Sequence, residues 1–269
     1  VSSVLCVDRR SNKELELAAP IVIVAGGALQ SPGILLRSGL ERFPQHDLIG
    51  RFLMRHCNAV IAGVFPFRTN VERQFHKLVC FTDFYEKFRY EDGFATGVVQ
   101  DIYSPDPVVL KHFAPKGFKN AAALSANFLQ NLLCVAEDEP QYENVVRLAS
   151  ETDRFGVAQV KITHHYSKRD CDRRDYLVTQ AKQILRKAGA LFFHTYQIDS
   201  FSHGVGAVRM GNDVKDSVLD PLCRFHGIDN LFVVDGSVFP SSGGVNPSLT
   251  IAANALRVGA HITQTFRNI

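Results

Sequence analysis

"NLFVVDGSVFPSSGGVNPSLTIAANALRVG", residues 230–259, decides how the fold is read. Leu231-Phe232-Val233-Val234 is an unbroken apolar run, the pattern of a strand buried on both faces. It stops at Asp235-Gly236-Ser237, a common turn composition. Gly243 and Gly244 then lead into Asn246-Pro247, a favoured helix cap followed by a favoured first helical residue. Beyond it Leu249, Ala252, Ala253, Leu256 and Ala260 recur at helical spacing, so the pattern predicts a capped helix with that stripe in the core. A plain core helix satisfies these residues. So does a positive helix end that two glycines open to another molecule.

Working outward, the chain's other end carries a matching unit. Ile21-Val22-Ile23-Val24 is a second buried-type strand, and Ala25-Gly26-Gly27 is its tight exit. Ser31-Pro32 predicts the cap and first residue of a helix through Leu35 and Leu36, closed by Gly39. Strand, glycine turn and helix are the organisation of a nucleotide-binding α/β unit. Between these ends, Val145 to Leu148 and Val157 to Tyr166 alternate like half-buried strands, and polar turns separate the stretches. A long helix is expected over about Arg173 to Ala188. The chain therefore reads as an α/β unit, residues 1–55, left for an antiparallel-sheet α+β domain, 56–202, and re-entered at 203–269. Residues 1–27 read as an alternating strand pair entered mid-fold with no initiator Met, so the chain is expected to begin inside a larger protein.

Bulk properties exclude several classes. The 269 residues suffice for a sizeable core, and 46% hydrophobic content is ordinary for a globular protein. Thirty basic against 27 acidic residues, without a basic block, give no reason to invoke nucleic acid. No apolar run is long enough to span a bilayer, and the first twenty residues are too polar for a signal peptide. Cys6, Cys57, Cys80, Cys134, Cys171 and Cys223 are scattered with no CxxC pair. Such thiols fit a reducing compartment, and a cytoplasmic location is expected, although spacing leaves disulfides open.

"AGGALQSPGILLRSG" (25–39), "SHGVGAVRMG" (202–211) and residues 230–259 together resemble the C-terminal half of the glucose-methanol-choline (GMC) family of FAD-dependent oxidoreductases. "DLIGRFLMRH" (47–56) and "ENVVRLASETDRFG" (143–156) are also similar to family segments. The chain departs at Glu41, where glycine is usual, and at Ala207, where threonine is common. It also lacks the family's opening strand-GxGxxG-helix unit. "GVGAVR" (204–209) begins like that fingerprint but puts Arg209 at its third glycine and follows no apolar strand.

The resemblance implies a Rossmann-like FAD domain without its GxGxxG unit, completed by an N-terminal FAD-binding half or a partner chain. It implies FAD as cofactor and an alcohol or sugar as substrate, oxidised by hydride transfer to flavin N5. His203 is then the general base and Asn246 fixes the substrate oxygen. The Asn246-Pro247 helix end faces the flavin ring, Asp235 and Gly236 its ribityl or pyrophosphate region, and Ala25 and Gly26 its adenosine end. The rivals are a lyase on the same fold without net redox, or a truncated, non-catalytic subunit needing a partner chain. Oligomeric state stays open. No metal is expected: His164 and His165 point to opposite faces of a strand, while His194 and His226 read as structural and turn residues. Cys223 reads as a core residue.

Overall fold

The computed structural model of the chain describes residues 1–69, 77–88, 91, 93–200 and 203–267. The expected boundary at residue 202 and the last two residues lie outside these. The chain opens with an antiparallel hairpin, β1 (Ser3–Val7) and β2 (Glu14–Ala18), as its alternation predicts. Strand β3 (Val22–Val24) and helix α1 (Gly27–Leu36) follow. Next come β4 (Cys57–Val64), β5 (Cys80–Phe81), β6 (Gly97–Ile102), α2 (Pro107–Phe113), α3 (Lys119–Ser125) and β7 (Leu129–Ala136). Then β8 (Val145–Thr152), β9 (Ala158–Thr163), α4 (Lys168–Lys187) and β10 (Phe192–Gln197) precede the return to β11 (Leu231–Val233) and α5 (Ser248–Thr265).

The two apolar runs at opposite ends of the chain meet. β11 pairs with β3 in parallel, Leu231 opposite Val22 and Val233 opposite Val24. Around this pair Leu35, Phe232, Val233, Val258 and Ile262 form one buried cluster. The intervening strands build a separate antiparallel sheet in the order β10-β4-β7-β6-β5. α4 covers one face of it, packing Leu177, Ala181 and Leu185 on Cys57, Ala59 and Ile61 of β4 and Cys134 of β7. β8 and β9 do not join that sheet. They pair with each other and lay Val146, Val160 and Ile162 against Ala28 of α1.

Three helix expectations need correction. α4 starts before Arg173 because Ser167 and Asp170 form a reciprocal capping box, Asp170 N–H to Ser167 Oγ at 3.2 Å and Ser167 N–H to Asp170 Oδ2 at 3.0 Å. α1 starts at Gly27, with Pro32 inside the helix rather than at its first position. Ser31 is therefore no cap: its hydroxyl accepts from Gly26 N–H at 2.9 Å and donates to Asp235. Asp235 Oδ2 also accepts from Gly27 N–H at 2.9 Å, and Oδ1 accepts from Ser237 N–H at 2.8 Å. A carboxylate from the end of β11 thus satisfies the positive end of α1.

α5 is the third correction, and the largest. Leu249 is 82% and Leu256 76% exposed, and Ala252, Ala253 and Ala260 are exposed beside them. The buried residues are instead Asn254, Val258 and Ile262. Asn254 tolerates burial because its amide donates to Cys223 Sγ at 3.5 Å and accepts from Arg257 Nε at 3.2 Å. Cys223 itself is fully buried in the core.

Asp235 gives a direct test of the knot between the two chain ends. Asp235→Ala is expected to cost about 2–4 kcal/mol, because three donors lose a charged acceptor. Urea unfolding measures this, and a loss below 0.5 kcal/mol, the ordinary scatter of a surface change, would overturn it.

Candidate functional site

His203 and Asn246, distant in the chain, meet where the α/β unit abuts the five-stranded sheet. Asn246 Nδ2 lies 3.2 Å from His203 Nε2. The amide is held from its other end, since Gln100 Nε2 on β6 donates to Asn246 Oδ1 at 2.8 Å. This clamp also corrects the expected cap: Asn246 spends its side chain on the site, and Pro247 occupies the cap position of α5 without a side-chain hydrogen bond.

The other nitrogen of His203 meets a second histidine. His203 Nδ1 and His56 Nδ1 are 2.9 Å apart, and the rings stand edge to face at 84°. His56 is buried and sits at φ +62, a left-handed conformation uncommon for a non-glycine residue. Its backbone is held there by Asp138, whose two carboxylate oxygens accept from Arg55 N–H at 2.8 Å and His56 N–H at 3.0 Å. Tyr166 O–H donates to the His56 carbonyl at 2.8 Å. Burial works against ionising Asp138. His164 at 3.5 Å and the backbone and hydroxyl donors around it outweigh that and hold its carboxyl below the usual range.

His203 itself is half-buried. Burial is the main cause that pushes its imidazole down to about 4, so the ring is neutral at pH 7. Glu137 goes the opposite way. Burial raises its carboxyl, while Oε1 accepts from Gly243 N–H at 3.0 Å. All six cysteines are free, and burial pushes the thiols of Cys57 and Cys134 up to about 12.

The remaining expected residues form a second cluster. Ala25 and Gly26 are exposed at the end of β3, and Asp235 is hydrogen-bonded to the first N–H of α1 beside them. Gly236 is buried, and a Cβ there would stand 3.2 Å from the Gly204 carbonyl oxygen and from Ile251 Cδ1 of α5. Gly204 follows His203, so this tight packing joins the two clusters. Sequence reading missed His56, Gln100, Asp138 and Ser242. The one available pointer was the segment "DLIGRFLMRH", which ends in His56. Of the other histidines, His164 is inward and His165 exposed, but both lie just past the end of β9 rather than on a strand, while His194 is exposed and His226 lies 3.0 Å from Ser217 Oγ. Among the described residues no group of three or more His, Cys, Asp or Glu side chains is placed to hold a metal ion.

The residues fit a flavin. The first turn of α5 has no side-chain cap, and Ser248, Leu249 and Thr250 are exposed, leaving its N–H groups free for an electron-rich ring edge. Gly243, at φ +63, has no atom within 4 Å of where a Cβ would stand.

An α/β unit joined to an antiparallel sheet recurs in known folds. Solved structures of this fold include pyridoxine 4-oxidase from Mesorbium loti (TM-score 0.65, 19% identity, 98% of this chain and 55% of that one). Another is formate oxidase of Aspergillus oryzae, in a structure concerned with FAD modification (TM-score 0.70, 14% identity, 99% of this chain and 58% of that one). The chain belongs to the GMC oxidoreductase family, whose models match residues 1–58 and 140–255. The family binds FAD.

Among curated relatives, paromamine 6'-oxidase of Streptomyces fradiae is 32% identical over 96% of this chain and 48% of its own length. 2-Methyl-1,2-propanediol dehydrogenase of Mycolicibacterium austroafricanum is 27% identical over 98% of this chain and 51% of its own. The chain thus spans about half the length of the curated relatives it matches. No helix among the described residues is long and apolar enough to cross a membrane.

Proposed function

We propose that the protein is an FAD-dependent oxidoreductase that oxidises a CH–OH group of a small alcohol or sugar. The observation that carries this reading is the 3.2 Å apposition of His203 Nε2 and Asn246 Nδ2 beside the uncapped end of α5. Bound at that end, FAD supplies the hydride acceptor. His203 takes the substrate hydroxyl proton at Nε2 as the carbon gives up its hydride, the role a neutral imidazole fills. Asn246 has a second amide N–H beyond the one aimed at His203, and it orients the substrate oxygen. The N–H groups of Ser248 and Leu249 and the helix dipole would hold an electron-rich flavin edge and would favour negative charge there. Ala25, Gly26, Asp235 and Gly236 line the route to the cofactor's ribityl, pyrophosphate and adenosine parts. In this reading a further N-terminal segment or a partner chain contributes the strand-GxGxxG-helix unit. Six free thiols suit a reducing cytoplasm.

The test is anaerobic addition of primary alcohols and sugars to the FAD-loaded protein, followed by visible absorption. Bleaching supports the reading. Turnover without bleaching would replace it with the lyase, and a colourless protein that FAD does not restore would replace it with the non-catalytic subunit. The pH profile adds a sharper expectation. With His203 lowered to about 4, its base form is present above that pH and lost below it. The rate constant for flavin reduction at low substrate is therefore flat from pH 8 to pH 6 and falls through about 4. An acid limb at about 6.5, the ordinary imidazole value, would overturn the desolvated-base assignment.

A further inference from the structure

His203 can serve at Nε2 only if its one proton sits on Nδ1, and nothing in a free imidazole enforces that choice. The hydrogen-bond directions around it do. His56 Nε2 faces two backbone carbonyls, Ser242 O at 3.0 Å and Gly243 O at 2.7 Å. Carbonyl oxygens only accept, so Nε2 of His56 must carry a hydrogen. A neutral His56 then presents a bare lone pair at Nδ1, 2.9 Å from Nδ1 of His203. The hydrogen between the two rings must therefore belong to His203. That leaves the lone pair of His203 on Nε2, where Asn246 Nδ2 donates to it. Gln100 fixes the amide in that sense, because its Nε2 donates to Asn246 Oδ1. Each contact in the row from Gln100 to the Gly243 carbonyl then joins one donor to one acceptor, and no other assignment of neutral rings achieves this.

We propose that His56 is a positioning residue that accepts the Nδ1 hydrogen of His203 and thereby locks the tautomer whose Nε2 faces the reacting hydroxyl. This rests on the alcohol-oxidation reading for its consequence, but not for its geometry. The lock is rigid. His56 is fully enclosed, its N–H is bound to Asp138 and its C=O to Tyr166. The carbonyls that set its own tautomer come from residues 242 and 243, four and three positions before Asn246 in the chain. The segment that carries the substrate-orienting amide therefore also sets the base, through His56. A base in the wrong tautomer is a costly fault: catalysis drops sharply when an orienting partner is neutralised, as the serine-protease triad illustrates.

Long-range ¹H–¹⁵N correlation on the FAD-loaded protein with ¹⁵N-labelled histidine reads both rings directly. The expected pattern is a protonated Nδ1 and bare Nε2 on His203, and the reverse on His56. His56→Leu should lose the fixed Nδ1–H form of His203 and slow flavin reduction by about 10- to 100-fold, with a much smaller change in KM. His56→Asn, whose Oδ1 offers an acceptor again, should restore both the tautomer and most of the rate. A protonated Nδ1 on His56 in the unmodified protein would overturn the proposal, as would an unchanged His203 tautomer or rate in His56→Leu. If His56→Leu does not fold, the unmodified protein and His56→Asn decide the matter. If no alcohol reduces the flavin, the reaction reading fails while the tautomer pattern still tests His56.

Discussion

His203→Ala is expected to lower the rate of flavin reduction by an alcohol by about 10³-fold, with FAD binding retained. Proton transfer to a placed base typically contributes between about 10² and 10⁴ in rate, and three decades correspond to about 4 kcal/mol of barrier. The expectation rests on a specific geometry. Nε2 is the one ring nitrogen aimed at Asn246, whereas Nδ1 is engaged by His56. Alanine removes the proton acceptor and the partner of one Asn246 N–H, yet touches none of the donors at the end of α5. Stopped-flow absorbance at the flavin band separates the possibilities. A rate within threefold of the unmodified protein would remove His203 from the mechanism. Loss of bound flavin would instead point to a structural role for the ring.

The largest expected loss of stability comes from Gly97→Ala. Gly97 opens β6 at φ +133, where a side chain is strained whatever the space. Space is also lacking, for a Cβ there would collide with the Val135 carbonyl oxygen and stand 2.9 Å from Ala136 Cα on β7. Strain and overpacking together put the cost at about 4 kcal/mol or more. The damage would reach the site, because a Cβ on Gly244 would already stand 2.6 Å from Gly97 Cα: the two glycines are pressed together. Gly117→Ala is the control. It has a similar backbone, φ +94, but nothing within 4 Å, so it should cost only about 1–2 kcal/mol. Equal losses at the two positions, measured by urea unfolding, would show that backbone strain alone decides the effect.

The elements legible in the sequence were those whose signal is local. Ile21 to Val24 and Leu231 to Val234 read as strands because continuous β-branched and aromatic runs favour extended chain, but only β11 is buried throughout, and Ile23 of β3 is 51% exposed. The α/β pattern on either side of the middle stretch implied a return to the first unit, whereas the pairing itself is visible only in the fold. The tie between His203 and Asn246 was legible only through the family's motifs, since no periodicity links residues so far apart. His56, Gln100 and Asp138 were not legible. Each stands on a different strand or connection, and their meeting depends on how the sheet is stacked against the α/β unit. α5 shows another limit. Spacing told which residues share a face, not which face is covered, and in the chain as folded the apolar stripe points outward. Asn254 misled in the complementary way, a polar residue satisfied inside the core by Cys223 and Arg257.

The parallel pairing of β3 with β11 has a consequence for biosynthesis. The five-stranded sheet is complete once Gln197 has left the ribosome, and α4 can already close over it. β3 precedes the five-stranded sheet in the chain and must wait for Leu231 to Val233 before it gains β11 as a partner, while α1 waits for Asp235 to satisfy its first N–H. Contacts that span so much chain form late, after the local ones. The His203–Asn246 contact belongs to that last stage, because Asn246 lies beyond β11. A nascent chain therefore carries a finished sheet and an idle histidine while the stretch between His203 and Asn246 is made. The pair that does the chemistry comes into being only when the closing segment docks.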